Sequence, residues 1–104
     1  MTWAIYHTGT FDEILGKMPK DFQQWLDKIE DQLMLNPYVG DQIRVPWFRE
    51  KKKDKFRLYY LIYDDLEAVY VVAISEKKDQ QIVINTIWLL LDQFKDQIHD
   101  LVKE

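Results

Sequence analysis

Cysteine is missing from this 104-residue chain, which removes disulfides, thiolate metal sites and cysteine nucleophiles together. Serine occurs once, at Ser75, which is too little for serine-triad chemistry. The three glycines stand alone at positions 9, 16 and 40, so no glycine-rich phosphate loop exists. The two histidines, His7 and His99, lie far apart and neither has a neighbour at metal-ligand spacing. No metal and no cofactor are expected. Long apolar runs are missing as well. Runs such as Ala68 to Ile74 and Ile87 to Leu91 fall far short of the roughly 20 residues a membrane span needs. Met1 to His7 carry neither a basic leader nor an apolar stretch of signal-peptide length. These absences predict one domain over residues 1–104, in a reducing, cytoplasmic setting away from membranes.

What is present is apolar and aromatic material, 47% and 14% of the residues, enough for one sizeable core. Charge is abundant and unevenly placed. The chain carries a formal −4, yet residues 49–57, Arg49-Glu50-Lys51-Lys52-Lys53-Asp54-Lys55-Phe56-Arg57, carry six cations against two anions. This basic island in an acidic protein reads either as a solvated turn between strands or as a focused phosphate site.

Alternation of Trp3, Ile5 and His7 with Ala4 and Tyr6 predicts an opening strand. Thr10-Phe11-Asp12-Glu13 has the form of a capping box, with a short helix to about Met18. Pro19 suits the start of a second helix, in which Phe22, Trp25, Leu26, Ile29 and Leu33 form one stripe. Asn36-Pro37 ends it, and Gly40 marks the loop beyond. Strands are expected over Arg44 to Lys51, Phe56 to Tyr63 and Glu67 to Ser75, the second and third joined by an Asp64-Asp65 turn. A long helix from about Gln80 to Val102 closes the chain. The order β-α-α-β-β-β-α predicts an α+β domain, a four-stranded antiparallel-rich sheet packed by a helical hairpin, with a long C-terminal helix.

That last helix is apolar on more than one side. Ile84, Trp88, Leu91 and Ile98 form a stripe for the sheet, while Val83, Ile87, Leu90 and Phe94 form a second at spacings of four, three and four. The second stripe is expected to be free for a partner helix or another copy of the chain, so a homodimer is one expectation.

For chemistry, the basic island stands out, with Lys77-Lys78 after the third predicted strand. Arg49 and Lys51 share a strand face by period two, Arg57 lies near the start of the next strand, and Lys77 follows the third. Their convergence on one concave face would stabilise a phosphodiester in a cleavage transition state. The general base would be a lysine crowded by cations, with Tyr59 or Glu50 behind it.

Lys17-Met18-Pro19-Lys20, Leu35-Asn36-Pro37-Tyr38 and Phe56-Arg57-Leu58-Tyr59-Tyr60, in this order of elements, resemble the RelE/ParE superfamily of type II toxin–antitoxin toxins. The likeness covers roughly residues 3–90, through short motifs persuasive as an ordered set. The resemblance implies a RelE-like fold and a ribosome-dependent mRNA endoribonuclease, in which the 2′-hydroxyl attacks the adjacent phosphate with help from lysines and arginines. Carried over by position, it implies catalytic roles for Arg49, Lys51, Arg57 and Lys77 and RNA contacts for Lys52, Lys53, Lys55, Lys78 and Tyr59. It also implies a cognate antitoxin on Val83, Ile87, Leu90 and Phe94. Where active members often carry tyrosine or histidine near the start of the last helix, this chain has Gln80, Gln81 and Val83. Two rival implications are a ParE-like binder of DNA gyrase without nuclease activity, and an inactive relative acting only through protein partners.

Overall fold

The computed structural model describes residues 2–103. β1 (Ala4–His7) leads into α1 (Gly9–Leu15) and α2 (Lys20–Leu35), followed by β2 (Asp41–Ile43), β3 (Val45–Lys53), β4 (Phe56–Tyr63) and β5 (Ala68–Glu76). α3 (Gln80–Leu89) and α4 (Leu91–Lys103) close the chain. The strands form one sheet in the order β1-β5-β4-β3-β2, with β1 parallel to β5 and every other pair antiparallel.

Alternation along β4 decides the layering. Leu58, Tyr60 and Ile62 join Phe11, Leu26, Ile29 and Leu33 of α1 and α2 on one face. Tyr59 and Leu61 join Ile84, Ile87, Phe94 and Ile98 of α3 and α4 on the other. Each apolar side chain buried in these layers contributes roughly 1.5–3 kcal/mol. The helical hairpin and the C-terminal helices therefore hold opposite faces of the sheet.

α2 follows from its sequence. Phe22, Leu26, Ile29 and Leu33 are its buried residues, at spacings that keep them on one face, and Asp21 complements the positive end of the helix. Asn36 ends the helix, and its side-chain oxygen accepts from the Tyr38 amide at 3.0 Å, capping the 3₁₀ turn Pro37–Val39.

Three expectations are corrected. The sheet has five strands rather than four, because Asp41–Ile43 pairs with β3 at its edge. The cap of α1 is Thr8, whose hydroxyl accepts from the Phe11 amide at 3.0 Å, in place of a Thr10–Glu13 capping box. The C-terminal helix breaks at Leu90, whose φ of −103° and ψ of 8° leave helical geometry. After the break, Phe94 and Ile98 of α4 enter the same core layer as Ile84 and Ile87 of α3. No helix among the described residues is long and apolar enough to cross a membrane.

Candidate functional site

The β3–β4 hairpin sets the geometry of the basic island. β3 runs on to Lys53, which pairs with Phe56 across a tight turn through Asp54 and Lys55. Asp54 takes φ 54°, a left-handed conformation that aspartate tolerates better than most residues. This register pairs Lys52 with Arg57, Arg57 with Ser75, and Glu50 with Tyr59. Cross-strand partners share a face, so Glu50, Lys52, Arg57, Tyr59 and Ser75 all stand on the side of α3.

The same register separates residues expected to converge. Arg49 pairs with Tyr60 and Lys51 with Leu58, which belong to the layer of α1 and α2, so Arg49 and Lys51 face away from Arg57. Arg49 is also fully employed there. Its guanidinium donates to the carbonyls of Pro46, Tyr38 and Gly40 at 2.8, 3.2 and 2.9 Å and lies 5.2 Å above the Tyr38 ring. Lys53, also on that side, lies 4.0 Å from Asp21 of α2. Arg49 and Lys51 thus leave the expected convergent set.

On the α3 side, Glu50 is a buried carboxylate between two partners. Its Oε2 accepts from Gln80 Nε2 at 2.7 Å, and its Oε1 lies 3.9 Å from Lys52 Nζ. Arg57 is not the exposed cation that turn composition suggests, being 7% exposed. Its Nη1 donates to the carbonyls of Asp54 and Phe56 at 3.0 and 2.9 Å, while its Nε has no acceptor among the described residues. Tyr59 is fully buried, with its hydroxyl 2.8 Å from Ser75 Oγ, so it cannot touch RNA directly as expected. Burial raises the Tyr59 pKa above its usual value, against the opposing pull of the Ser75 hydrogen bond.

Beyond this row, the hairpin tip meets the turn after β5, where the Lys77 amide donates to the Lys55 carbonyl at 2.7 Å. Lys55, Glu76, Lys77 and Lys78 line an open hollow of about 460 Å³. Glu76 accepts from Lys55 at 3.0 Å and lies 3.4 Å from Lys78, and these cations hold its pKa below the usual carboxylate value. The end of the sheet therefore carries Lys52, Arg57, Lys55, Lys77 and Lys78 from three neighbouring segments.

The expected second stripe of the C-terminal helix is not free in the form predicted. Ile87 and Phe94 are 2% and 8% exposed and belong to the core, Ile87 on the buried face of α3 with Ile84 and Phe94 on that of α4 after the break at Leu90. Val83 and Leu90 are half-buried, and all four line a groove of about 650 Å³ between α1, β5 and the C-terminal helices. On α3 and α4 the large apolar groups most exposed to water are Ile82 and Leu89, at 70% and 86% exposure.

One constellation went unread in the sequence. His7 Nδ1 lies 2.8 Å from Asp12 and its Nε2 lies 2.9 Å from Glu30, tying β1 to α1 and α2. No group of three or more His, Asp or Glu among the described residues is arranged to hold a metal ion.

No protein-family model matches this chain, and no curated protein matches its sequence. Solved structures match it through the fold. A double-arginine mutant of the E. coli toxin RelE in the free state aligns at TM-score 0.70 and 15% identity, over 80% of this chain and 92% of that one. The RelBE2 toxin–antitoxin complex of Mycobacterium tuberculosis aligns at TM-score 0.63 and 20% identity, over 73% and 99% of the two chains. The archaeal RelE–RelB complex from Pyrococcus horikoshii aligns at 0.64 and 13%, over 73% and 96%. The architecture is that of a RelE-like α+β domain. This chain has the RelE fold, with Lys52, Lys55, Arg57, Lys77 and Lys78 gathered at one end of the sheet.

Proposed function

We propose that this chain is the toxin of a type II toxin–antitoxin pair, an endoribonuclease that cuts mRNA on the ribosome in the cytoplasm. The observation that carries the reading is the row Glu50, Lys52 and Arg57 on the α3 side of a RelE fold, a carboxylate set among cations. In this reading Glu50 takes the proton from a ribose 2′-hydroxyl. The 2′-oxygen attacks the adjacent phosphorus, the bond to the 5′-oxygen breaks, and the products are a 2′,3′-cyclic phosphate and a 5′-hydroxyl end. Lys52 and Arg57 stabilise the charge that accumulates on the phosphoryl oxygens, Lys52 by contact and the buried Arg57 guanidinium through its field. Lys77, Lys55 and Lys78 hold the flanking phosphates. The proton for the departing 5′-oxygen comes from this lysine cluster.

A cognate antitoxin completes the proposal. The groove lined by Val83, Ile87, Leu90 and Phe94 is apolar enough to take a partner segment. Structures of similar fold include RelE in complex with a RelB peptide and intact RelBE complexes, which supports a partner of this kind. The rival reading is a ParE-like gyrase binder, favoured by the net charge of −4, unusual for a protein that works on the ribosome. Tight induction of the chain followed by sequencing of 5′-hydroxyl mRNA ends separates the two. New ends within translated frames are expected. Intact mRNA with altered plasmid supercoiling would replace the nuclease reading with the gyrase one.

A further inference from the structure

Arg44 occupies the corner between β2 and β3 with φ 64°, a conformation that glycine or asparagine adopts more readily than arginine. Such backbone persists where surrounding contacts hold it. Here the contacts come from the side chain. The guanidinium lies 5.6 Å from the centroid of the Trp88 ring and donates to Asn85 Oδ1 at 3.3 Å. Trp88 in turn packs edge-on against Trp47 and Phe48, with ring centroids 5.7 and 5.8 Å apart. Trp47 is 37% exposed, a large ring left partly in water. Among the described residues no carboxylate lies within ion-pair distance of Arg44, so its charge is unneutralised.

This aromatic step continues the candidate cleavage row. Phe48, Glu50 and Lys52 alternate along one face of β3, and two residues of strand span about 7 Å. α3 runs beside them, with Gln80 bonded to Glu50 at one end and Trp88 against Phe48 at the other. Gln80 and Trp88 are about 12 Å apart along α3 at about 1.5 Å per residue, so the Arg44–Trp88–Trp47 step lies within about two nucleotides of a strand held at Glu50 and Lys52.

The geometry points to a nucleobase-stacking subsite built by Arg44, Trp47 and Trp88, which takes an unpaired RNA base flanking the scissile phosphate. It rests on the nuclease reading and adds the part that holds a base rather than a phosphate. A planar cation laid on an indole, beside a second exposed indole, presents flat π-surface and positive charge together, the combination single-stranded nucleic acid uses. A protein partner would also value tryptophan and arginine, but the uncompensated cation and the continuity with the lysine row favour RNA.

The test is a titration of the ¹⁵N-labelled full chain with a non-cleavable 2′-O-methyl tetranucleotide, and with its counterpart abasic at one position. The four indole N–H signals are assigned by Trp47→Phe and Trp88→Phe. The Trp47 and Trp88 signals are expected to move with the intact oligonucleotide and not with the abasic one, while Trp3 and Trp25 stay still. Trp47→Ala is expected to weaken binding about tenfold or more. Shifts at Lys52 and Arg57 without any at the two indoles would overturn the subsite and leave the nuclease reading standing. No shift anywhere at millimolar oligonucleotide would overturn both. Indole shifts that follow protein concentration alone would make the step a contact between copies and overturn the subsite.

Discussion

The Gly40 amide donates to the Tyr60 hydroxyl at 3.0 Å, and that hydroxyl donates onward to the Pro37 carbonyl at 2.7 Å. This relay ties the chain leaving α2 to the central strand β4. A Cβ on Gly40 would overlap the Tyr60 hydroxyl and stand 2.7 Å from the Glu50 carbonyl, both fixed by the sheet. Gly40→Ala is therefore expected to cost about 1–3 kcal/mol, the range for overpacking a close-fitted interior. Urea unfolding of the two proteins reads the difference directly; equal midpoints would show that the loop gives way instead.

His7 supplies a pH dependence. Both ring nitrogens face carboxylates, and only the imidazolium can donate from both. The Glu30 hydrogen bond, opposed by burial and aided by Asp12, raises the His7 pKa above its ordinary 6.5. A raised folded pKa means that the stabilisation is fully present below pH 6.5 and is lost as pH rises through the folded value. Unfolding free energy should thus decline as pH rises from 6.5 through the folded His7 pKa, and His7→Gln should flatten that decline. A wild-type profile as flat as that of the variant would remove His7 from the account.

Glu67 takes φ 48° and ψ 46° at the end of the 3₁₀ turn before β5. It is exposed, and its carbonyl accepts from Ala4. Glycine adopts this conformation without the left-handed penalty of roughly 1 kcal/mol, while giving back part of the gain as unfolded-state entropy. Glu67→Gly is expected to raise the melting temperature by about 2–4 °C. A lower melting temperature would mean that the glutamate side chain contributes more than its backbone costs.

The split of the basic island makes a sharper forecast. Lys52→Ala should slow cleavage about tenfold or more, as loss of a transition-state donor does. Lys51→Ala, on the opposite face, should leave the rate within about twofold. Arg49→Ala should leave chemistry alone but lower stability by about 2–3 kcal/mol, since three carbonyls lose a charged donor. Equal loss of rate in Lys51→Ala and Lys52→Ala would contradict the register argument.

Much of the fold was legible because its signals are local. The β4 bounds Phe56–Tyr63 and the α2 stripe Phe22, Leu26, Ile29 and Leu33 followed from alternation and helical spacing alone. β2 was missed because three residues carry no period, and its existence depends on the partner strand β3. The break at Leu90 was missed because Leu89-Leu90-Leu91 reads as unbroken helix, with no glycine or proline to mark it. The site suffered most from parity. Expecting β3 to stop at Lys51 put Arg49 and Lys51 beside Arg57, whereas a left-handed Asp54 lets the strand reach Lys53. A one-residue change of register moves every side chain to the other face. The basic composition was therefore readable while its functional face was not.

The nuclease reading turns on Glu50 as its base. The most direct measurement is the cleavage rate of ribosome-bound mRNA by Glu50→Gln beside the wild type, with unfolding followed in parallel. Glutamine keeps the shape and an acceptor for Gln80 while removing the base. A rate about a hundredfold lower at unchanged stability is the predicted result. A Glu50→Gln variant that cleaves at the wild-type rate would contradict it, and a wild type that cleaves nothing would contradict the nuclease reading as a whole.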